Sequence, residues 1–168
     1  MYNIKYKYLK LFLITPLLTF ININSDVIKN YSTYEDKNFI LKSFKTDWYW
    51  LIPDGGIYNP LSLLPEYNGQ DTIKILLNND KPAGYITYKM QNTIIGFIHF
   101  LYINKANRGK GYAKKLLQHA IADLKSQGAK VITLMTRTNN IGAQKVYKQL
   151  GFKEKPLDEK YIDFVLRV

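Results

Sequence analysis

The chain has 168 residues, which suits one domain large enough to bury a single hydrophobic core without cross-links. It carries 24 Lys and Arg against 13 Asp and Glu, and this formal net charge of +11 favours an anionic partner: a phosphorylated small molecule, a nucleic acid or a lipid surface. The absence of cysteine excludes disulfides, thiolate nucleophiles and Cys-ligated zinc, and two histidines are too few for an all-histidine site, so we predict no metal.

Residues 1–25 have the pattern of a targeting segment. Lysines precede a mostly apolar run from Leu11 to Ile23, which is too short for a membrane span of about 20 residues. A charged start and a short apolar middle are typical of a secretory signal, with Ser25 as a candidate cleavage point, although no Ala-x-Ala site follows. The alternative is an extra N-terminal segment that packs on the domain. We therefore predict a signal-like or membrane-tether segment followed by one domain over 26–168, exported if the segment is cleaved and cytoplasmic, with or without a tether, if it is kept.

The first half of the domain reads as a strand, a helix and a meander. "VIKNY" predicts a short strand, and the apolar spacing in "EDKNFILKSFKTDWYWLI" predicts a helix. "PDGGIYNP" is a loop, and "LSLLPEYNGQD" is a short helix or turn. Three β-type runs follow, "TIKILLNN", "AGYITYKM" and "TIIGFIHFLYIN", and they predict an antiparallel meander whose last, most apolar strand is central.

The second half alternates helices and strands. Apolar residues from Ala113 to Leu124 occupy one face of a helix that Gly128 is placed to end. "KVITLMTR" is then a buried strand, and Asn139 or Asn140 can cap the helix "IGAQKVYKQL", which stops at Gly151. "FKEK" and "YIDFVLRV" close the chain as two further strands.

The turn "NRGKGYAKKLL" between the central strand and the following helix is the most informative segment. Main-chain N–H groups at a helix N-terminus lack intrahelical partners, and phosphate oxygens can accept from them. Gly109 and Gly111 allow left-handed backbone angles and a close approach of a ligand. Cations surround the turn: Arg108, Lys110, Lys114 and Lys115. These features predict a diphosphate site, with an ordinary strand-to-helix turn and a basic patch for nucleic acid as alternatives. The P-loop pattern is absent, and Lys114 stands where the dinucleotide pattern needs a third glycine.

Two spaced motifs extend this reading to a family. Arg108-x-x-Gly111-x-Ala113 resembles the acyl-CoA-binding motif of the GCN5-related N-acetyltransferase superfamily. A second match lies downstream, at Asn140-x-x-Ala143-x-x-x-Tyr147-x-x-x-Gly151-Phe152. The resemblance extends from about Val27 to the C-terminus. It implies an α/β fold of the α+β type: a mixed, mostly antiparallel central sheet flanked by helices, with a splayed strand pair that holds acyl-CoA.

The resemblance also implies a function and a set of cofactor contacts. The chain would be an N-acetyltransferase that moves an acetyl group from acetyl-CoA to a primary amine of a small molecule or protein by direct attack, with no metal. Leu101 and Ile103 would offer main-chain groups to the pantetheine arm and the thioester carbonyl. The turn would bind the pyrophosphate mainly through its main chain, at Arg108, Gly109, Lys110, Gly111, Tyr112 and Ala113, and Asn140 would contact the cofactor beside the second helix.

Tyr147 is the candidate general acid. It lies where the family often has the residue that protonates the departing CoA thiolate, and a phenol with an ordinary pKa of about 10 can do so. By the helix pattern alone Tyr147 belongs to an apolar face, so a purely structural role is the alternative.

His99 is the candidate general base. Many relatives carry a Glu on the fourth strand, but "GFIHFLYIN" has no acid, and histidine as a residue type titrates in a suitable range. We expect His99 to share a strand face with Leu101 and Ile103. Alternatively, His99 is only a polar residue that fills a strand position. In that case a water chain or bulk solvent takes the proton.

Three other features of the sequence have more than one interpretation: the aromatic residues 48–50, the missing acid on the fourth strand and the net charge. Trp48, Tyr49 and Trp50 would border the acceptor site, but tryptophans at helical spacing favour the core, and we expect them there. The missing acid supports a catalytically silent acyl-CoA-binding sensor or interaction domain as the main alternative. The charge supports a nucleic-acid binder, although no nucleic-acid motif is present and the tyrosines fit half-buried sheet positions, so nucleic acid is not expected.

Overall fold

The computed structural model of the chain describes residues 26–168; the signal-like or tether segment predicted over 1–25 lies outside the described residues. The helices are α1 Thr33–Thr46, α2 Trp48–Leu51, α3 Tyr112–Ser126 and α4 Ile141–Gln149. The strands are β1 Asp26–Asn30, β2 Thr72–Asn78, β3 Lys81–Met90, β4 Ile95–Ile103, β5 Val131–Arg137, β6 Lys153–Pro156 and β7 Tyr161–Arg167. Within this part of the chain no helix is both long enough and apolar enough to cross a membrane.

The strands form one seven-stranded sheet in the order β1-β2-β3-β4-β5-β7-β6. Each neighbouring pair is antiparallel except β4 and β5, which run parallel. The parallel ladder is short, since it joins only Ile95–Phe97 to Val131–Thr133. Beyond Phe97 the two strands are no longer paired with each other, so a gap opens in the middle of the sheet. The predicted meander, the mixed sheet and the splayed strand pair are thus all confirmed.

The core lies on both faces of the sheet. On one face α3 and the Tyr147 side of α4 pack against the sheet in a cluster that includes Ile86, Ile98 and Ile132. On the other face α1 and the segment after α2 cover a second cluster that includes Phe44 and Phe100. Burial of this apolar area contributes about 25 cal/mol per Å² to folding.

The first predicted helix is interrupted. α1 ends at Thr46, Asp47 adopts a non-helical conformation, and α2 adds a single further turn. Because of this break, α2 does not continue the buried face of α1. Trp48 and Trp50 are 41% and 44% exposed, so the expectation that they are core residues is wrong.

A β-bulge in β4 corrects the predicted placement of His99. Thr87 of β3 lies opposite Phe100 and Tyr88 lies opposite Ile98, so His99 is an extra residue with no partner across the pair. The extra residue reverses the alternation of side chains along β4. His99 therefore stacks on Phe100, with ring centroids 4.0 Å apart, on the α1 face of the sheet. It does not share the face of Leu101 and Ile103, which pack against the α3 cluster.

Candidate active site

The turn before α3 has the backbone that its sequence predicts. Gly109 and Gly111 both have φ of +79°, and Gly111 is the N-cap of α3. Left-handed φ values cost L-residues with a side chain about 1–2 kcal/mol, so both glycines are needed for the shape of this turn. A Cβ atom at either position would meet nothing within 4 Å, which shows that the turn faces open space.

The main-chain donors of this turn are free. From Gly109 through Lys114 the N–H groups donate to no acceptor among residues 26–168, and the first intrahelical bond runs from Lys115 N to Gly111 O at 3.1 Å. The N-cap is a glycine, so no side chain occupies the position where a capping oxygen would accept. Exposed donors at the positive end of a 15-residue helix form an anion-binding site.

Three of the four cationic side chains predicted around this turn have partners within the protein, including Lys115, whose Nζ donates to Asp26 O at 2.8 Å. The Arg108 guanidinium donates to Ile103 O and to Asp47 Oδ1, both at 3.0 Å. Burial opposes ionisation of Asp47, but the hydrogen bond and charge of Arg108, together with hydrogen bonds from Thr46 and Tyr102, outweigh it and hold the pKa of that carboxyl below its usual value. Lys110 Nζ donates to Asn107 Oδ1 at 2.9 Å and does not line the cleft beside the turn. In this structure Arg108 therefore ties the turn to the end of α1.

The edge of β4 that faces the gap carries unpaired main-chain groups. Phe100 N and Asn104 N both donate towards β3, to Thr87 Oγ1 and Ala83 O. Because N–H groups alternate between the two edges of a strand, those of Leu101 and Ile103 face the gap between β4 and β5. An extended ligand can pair with this edge as an added strand would.

A cleft of about 950 Å³ joins these features. Its lining includes most of the predicted site residues: His99, Leu101, Ile103, Arg108, Gly109, Gly111, Tyr112, Ala113, Asn140 and Tyr147. Lys114 and Lys145 add cationic lining beside the turn. The volume is at the upper end of the range for small-molecule sites. The structure thus brings together residues from β4, the turn, α3 and α4 that are far apart in the sequence.

Asn140 and Tyr147 are the two predicted residues at α4. The Asn140 side chain caps the helix, because its Oδ1 accepts from Ala143 N at 3.4 Å, and its Nδ2 donates to Thr136 Oγ1 at 3.2 Å. Tyr147 is 6% exposed, and its ring packs edge-on against Phe164 at 5.2 Å. Its hydroxyl has no hydrogen-bond partner within the described part of the chain, and burial raises the pKa of this phenol. Tyr147 therefore stays protonated at neutral pH at the wall of the cleft.

His99 has a partner that sequence patterns do not indicate. Its Nδ1 lies 3.0 Å from Asp71 Oδ2, and Lys89 Nζ lies 3.4 Å from the other oxygen of the same carboxylate. Burial works against ionisation of Asp71, but the hydrogen bond and attraction of His99, with the charge of Lys89, lower the pKa of Asp71 below its usual value. Asp71 is separated from His99 in the chain by β2, β3 and the turns that follow them, so no local signal connects the two residues.

Arg137, at the end of β5, is a second residue that the sequence did not single out. Its guanidinium donates to Tyr49 O at 2.6 Å and Ile52 O at 2.9 Å, and it forms an ion pair with Asp54 at 2.8 Å. It also lies over the ring of Tyr49 at 4.0 Å. These contacts fix α2 and the residues after it over one mouth of the cleft. A lone arginine that ends an otherwise uncharged strand was the only available signal.

Within residues 26–168 no group of three or more His, Asp or Glu side chains is placed to hold a metal ion. The lining of the cleft offers main-chain donors, five phenols and the imidazole of His99.

The comparisons with known proteins agree on one family and one fold. The chain is 37% identical over 82 residues to N-alpha-acetyltransferase 30 of Schizosaccharomyces pombe, which is 46% of this chain and 55% of that protein. It is 33% identical over 99 residues to the ribosomal protein bS18-alanine N-acetyltransferase of Haemophilus ducreyi, with 51% of this chain and 68% of that protein covered. The chain spans about half the length of the first curated relatives it matches.

A solved structure extends the likeness over nearly the whole domain. A Bacillus subtilis acetyltransferase in complex with CoA superposes with a TM-score of 0.65 at 16% identity, covering 86% of this chain and 99% of that chain. At this identity the superposition shows a common fold. The model of the Acetyltransferase (GNAT) family matches residues 33–152, which include the turn before α3 and all of α4. The chain belongs to the Acetyltransferase (GNAT) family.

Proposed function

We propose that this protein is an N-acetyltransferase that moves an acetyl group from acetyl-CoA to a primary amine by direct attack. The observation that carries the proposal is the continuous run of unpartnered N–H groups from Gly109 to Lys114, which opens into the gap between β4 and β5. A pyrophosphate satisfies these donors, and the open space at Gly109 and Gly111 lets it approach. The acetyltransferase of the same fold solved with CoA supports this choice of ligand.

The gap suits the rest of the cofactor. The pantetheine arm is an extended chain with amide groups, and the free N–H groups of Leu101 and Ile103 on β4 can pair with it, while Ile103 O already accepts from Arg108. An N–H group aimed at the thioester oxygen would stabilise the negative charge that develops there as the amine attacks. Such donors are fixed by the strand before the reaction begins, so little reorganisation is needed.

Tyr147 is proposed as the general acid. The attacking amine forms the new C–N bond, the C–S bond breaks, and the sulfur takes the phenol proton of Tyr147, which solvent then replaces. The raised pKa keeps this phenol protonated at neutral pH, so the proton is present when the thiolate departs. Its ring is held by Phe164, which fixes the direction of the hydroxyl.

The base is proposed to be His99. A primary amine is largely protonated near neutral pH and must lose a proton before or during attack. Among the described residues that line the cleft, His99 is the one imidazole, and it lies on β4 close to the edge where the thioester would be held.

The acceptor would enter beneath the segment that Arg137 fixes. Trp50, Ile52 and Tyr58 line this part of the cleft, so the entrance is apolar and aromatic. The printed names of two relatives, N-alpha-acetyltransferase 30 and the ribosomal protein bS18-alanine enzyme, support peptides with a free amino terminus as the first acceptors to test.

The test has two parts. Calorimetry with CoA and acetyl-CoA measures binding, and thiol release measures turnover with a panel of peptide amino termini, lysine peptides and small amines. Binding of acetyl-CoA with turnover on at least one class of amine is expected. Absence of CoA binding would refute the proposal. Binding without turnover on the whole panel would instead favour a silent acyl-CoA-binding domain, which the lack of an acidic residue on β4 also suggests. N-terminal sequencing after cell fractionation would test the proposed tether or signal.

A further inference from the structure

We propose that Asp71 is the positioning residue of the base: it holds His99 with a proton on Nδ1, so that Nε2 presents its lone pair to the cleft. The inference rests on the proposed function and goes beyond it by naming the residue that makes His99 competent. It depends on the contact between His99 on β4 and Asp71 before β2, which exists only in the folded chain.

The bulge in β4 brings the pair together. Counted back from Leu101 and Ile103, strand alternation without the extra residue would put His99 on the α3 side, away from Asp71. With it, His99 joins Phe100 on the α1 face, where Asp71 lies two residues before Ile73 in the same apolar cluster. The resulting distance from Nδ1 to Asp71 Oδ2 is 3.0 Å. The side chain of Asp71 is only 5% exposed, so water competes little for this bond.

The protonation of Asp71 determines which nitrogen of His99 is protonated. Because the pKa of Asp71 is held below its usual value, the carboxylate is ionised at neutral pH and can only accept hydrogen bonds. Nδ1 must therefore be the donor, in the neutral ring as well as in the charged one. In the neutral ring the lone pair is then on Nε2.

The ring itself is held in place. His99 stacks on Phe100 with an interplanar angle of 24° and meets the Tyr58 ring edge-on at 6.1 Å. Its side chain is 33% exposed and lines the cleft, and none of the described groups hydrogen-bonds to Nε2. The atom with the lone pair is thus the one open to an incoming amine.

Three titratable groups surround this imidazole. Asp71 approaches from the residue before β2, Lys89 from β3, and Tyr58 from the segment before the 3-10 turn Pro60–Leu63. Burial raises the pKa of Tyr58, so that phenol stays neutral. Lys89 pairs with Asp71 Oδ1 and not with the ring. Asp71 is therefore the negative charge that stabilises the imidazolium formed when Nε2 takes the proton from the amine and later releases it to water.

The substitution Asp71→Asn tests the positioning role with almost no change of shape. Lys89 requires an acceptor, so the new amide should turn its oxygen to Lys89 and its NH₂ group to Nδ1 of His99. The ring must then carry its proton on Nε2, where it blocks the base. We expect kcat to fall about 100-fold, the scale of one general base, with the affinity for CoA unchanged. The acid limb of the kcat–pH profile should move to lower pH, because the imidazolium loses its counter-charge.

The matched control is Asp123→Asn. Asp123 also accepts a short side-chain bond, from Tyr88 at 2.6 Å, but it lies on α3, across the sheet from His99. This variant should keep the kcat and the pH profile of the wild type. A double variant, Asp71→Asn with His99→Ala, should be no slower than His99→Ala alone, since a residue that acts through His99 has no effect once the imidazole is gone.

Nitrogen-15 NMR of the histidine rings gives a readout that needs no turnover, and His119 is the only other histidine to assign. The wild type should show His99 protonated on Nδ1, and Asp71→Asn should shift the proton to Nε2. Protonation on Nε2 in the wild type would overturn the inference, as would equal additional slowing by Asp71→Asn in the His99→Ala background. If no amine is acetylated by the wild type, the proposed function fails, while the ring spectra still decide the role of Asp71.

Discussion

Gly111 offers the sharpest test of where the cofactor binds. Its φ of +79° lies in the left-handed region, and replacing it with alanine costs about 1–2 kcal/mol if that conformation is kept. A Cβ atom there meets nothing within 4 Å, so no clash inside the protein adds to this cost. In the ligand-free variant, the turn can relax to a negative φ, in which its N–H groups no longer converge. CoA must then restore the left-handed conformation when it binds. Gly111→Ala should therefore weaken CoA binding about 5- to 30-fold, and Gly111→Val more, because β-branched residues avoid positive φ.

The control lies at the other end of the same helix. Gly128 has φ of +102°, and a Cβ there would lie 3.7 Å from its nearest neighbour, Thr93 O, which is ordinary contact. Gly128→Ala should lose similar stability, about 2–8 °C in Tm for 1–2 kcal/mol, without any loss of CoA affinity. Gly111→Asn should be milder than Gly111→Ala, because asparagine tolerates left-handed angles.

Calorimetry with CoA, beside thermal melts of each variant, measures both quantities. Turnover with acetyl-pantetheine, which lacks the pyrophosphate, should be unaffected by Gly111→Ala. The reasoning is refuted if Gly111→Ala binds CoA as tightly as the wild type does, or if the substitution lowers turnover equally with acetyl-CoA and with acetyl-pantetheine.

The remaining predictions concern the catalytic groups and the segment over the cleft. Tyr147→Phe keeps the ring packed on Phe164 and removes the proton donor, so kcat should fall about 100-fold while the Kd for CoA stays within about twofold; unchanged kcat would exclude the acid role. His99→Ala should remove the acid limb of the pH–rate profile, because the base is lost, and an unaltered profile would clear His99 of that role. Arg137→Met leaves Tyr49 O and Ile52 O without their donor, at about 1–3 kcal/mol each if they stay dry. It should lower Tm and raise the KM for the amine with little effect on CoA affinity, and an unchanged KM would mean that the segment does not meet the acceptor.

The order of elements could be predicted from the sequence because each depends on local patterns. Alternating apolar runs specified the meander of β2, β3 and β4, and the spacing from Ala113 to Leu124 specified α3. Gly109 and Gly111 could be recognised as turn residues because glycine, having no side chain, adopts left-handed backbone angles. This is a property of the single residue. Asn140 as a helix cap is a similar case.

The prediction was wrong wherever one extra residue or a distant partner decided the outcome. Strand alternation placed His99 beside Leu101, but the bulge shifts the period by one, and a bulge depends on both strands of a pair. Helical spacing placed Trp48 in the core, but the helix breaks at Asp47, whose carboxylate accepts a hydrogen bond from Arg108, 61 residues further on.

Local residue patterns were enough to predict the elements, their order and the anion-binding turn, because backbone conformation and amphipathic periodicity depend on neighbours a few residues apart. Three features depend instead on long-range packing: β4 and β5 separate after three paired residues, Asp71 reaches His99, and Arg137 fixes the segment over the cleft. The two contacts join residues that are far apart in the chain: two strands lie between Asp71 and His99, and more than half of the chain lies between Tyr49 and Arg137. Their geometry depends on how whole strands and helices pack, which no local pattern records.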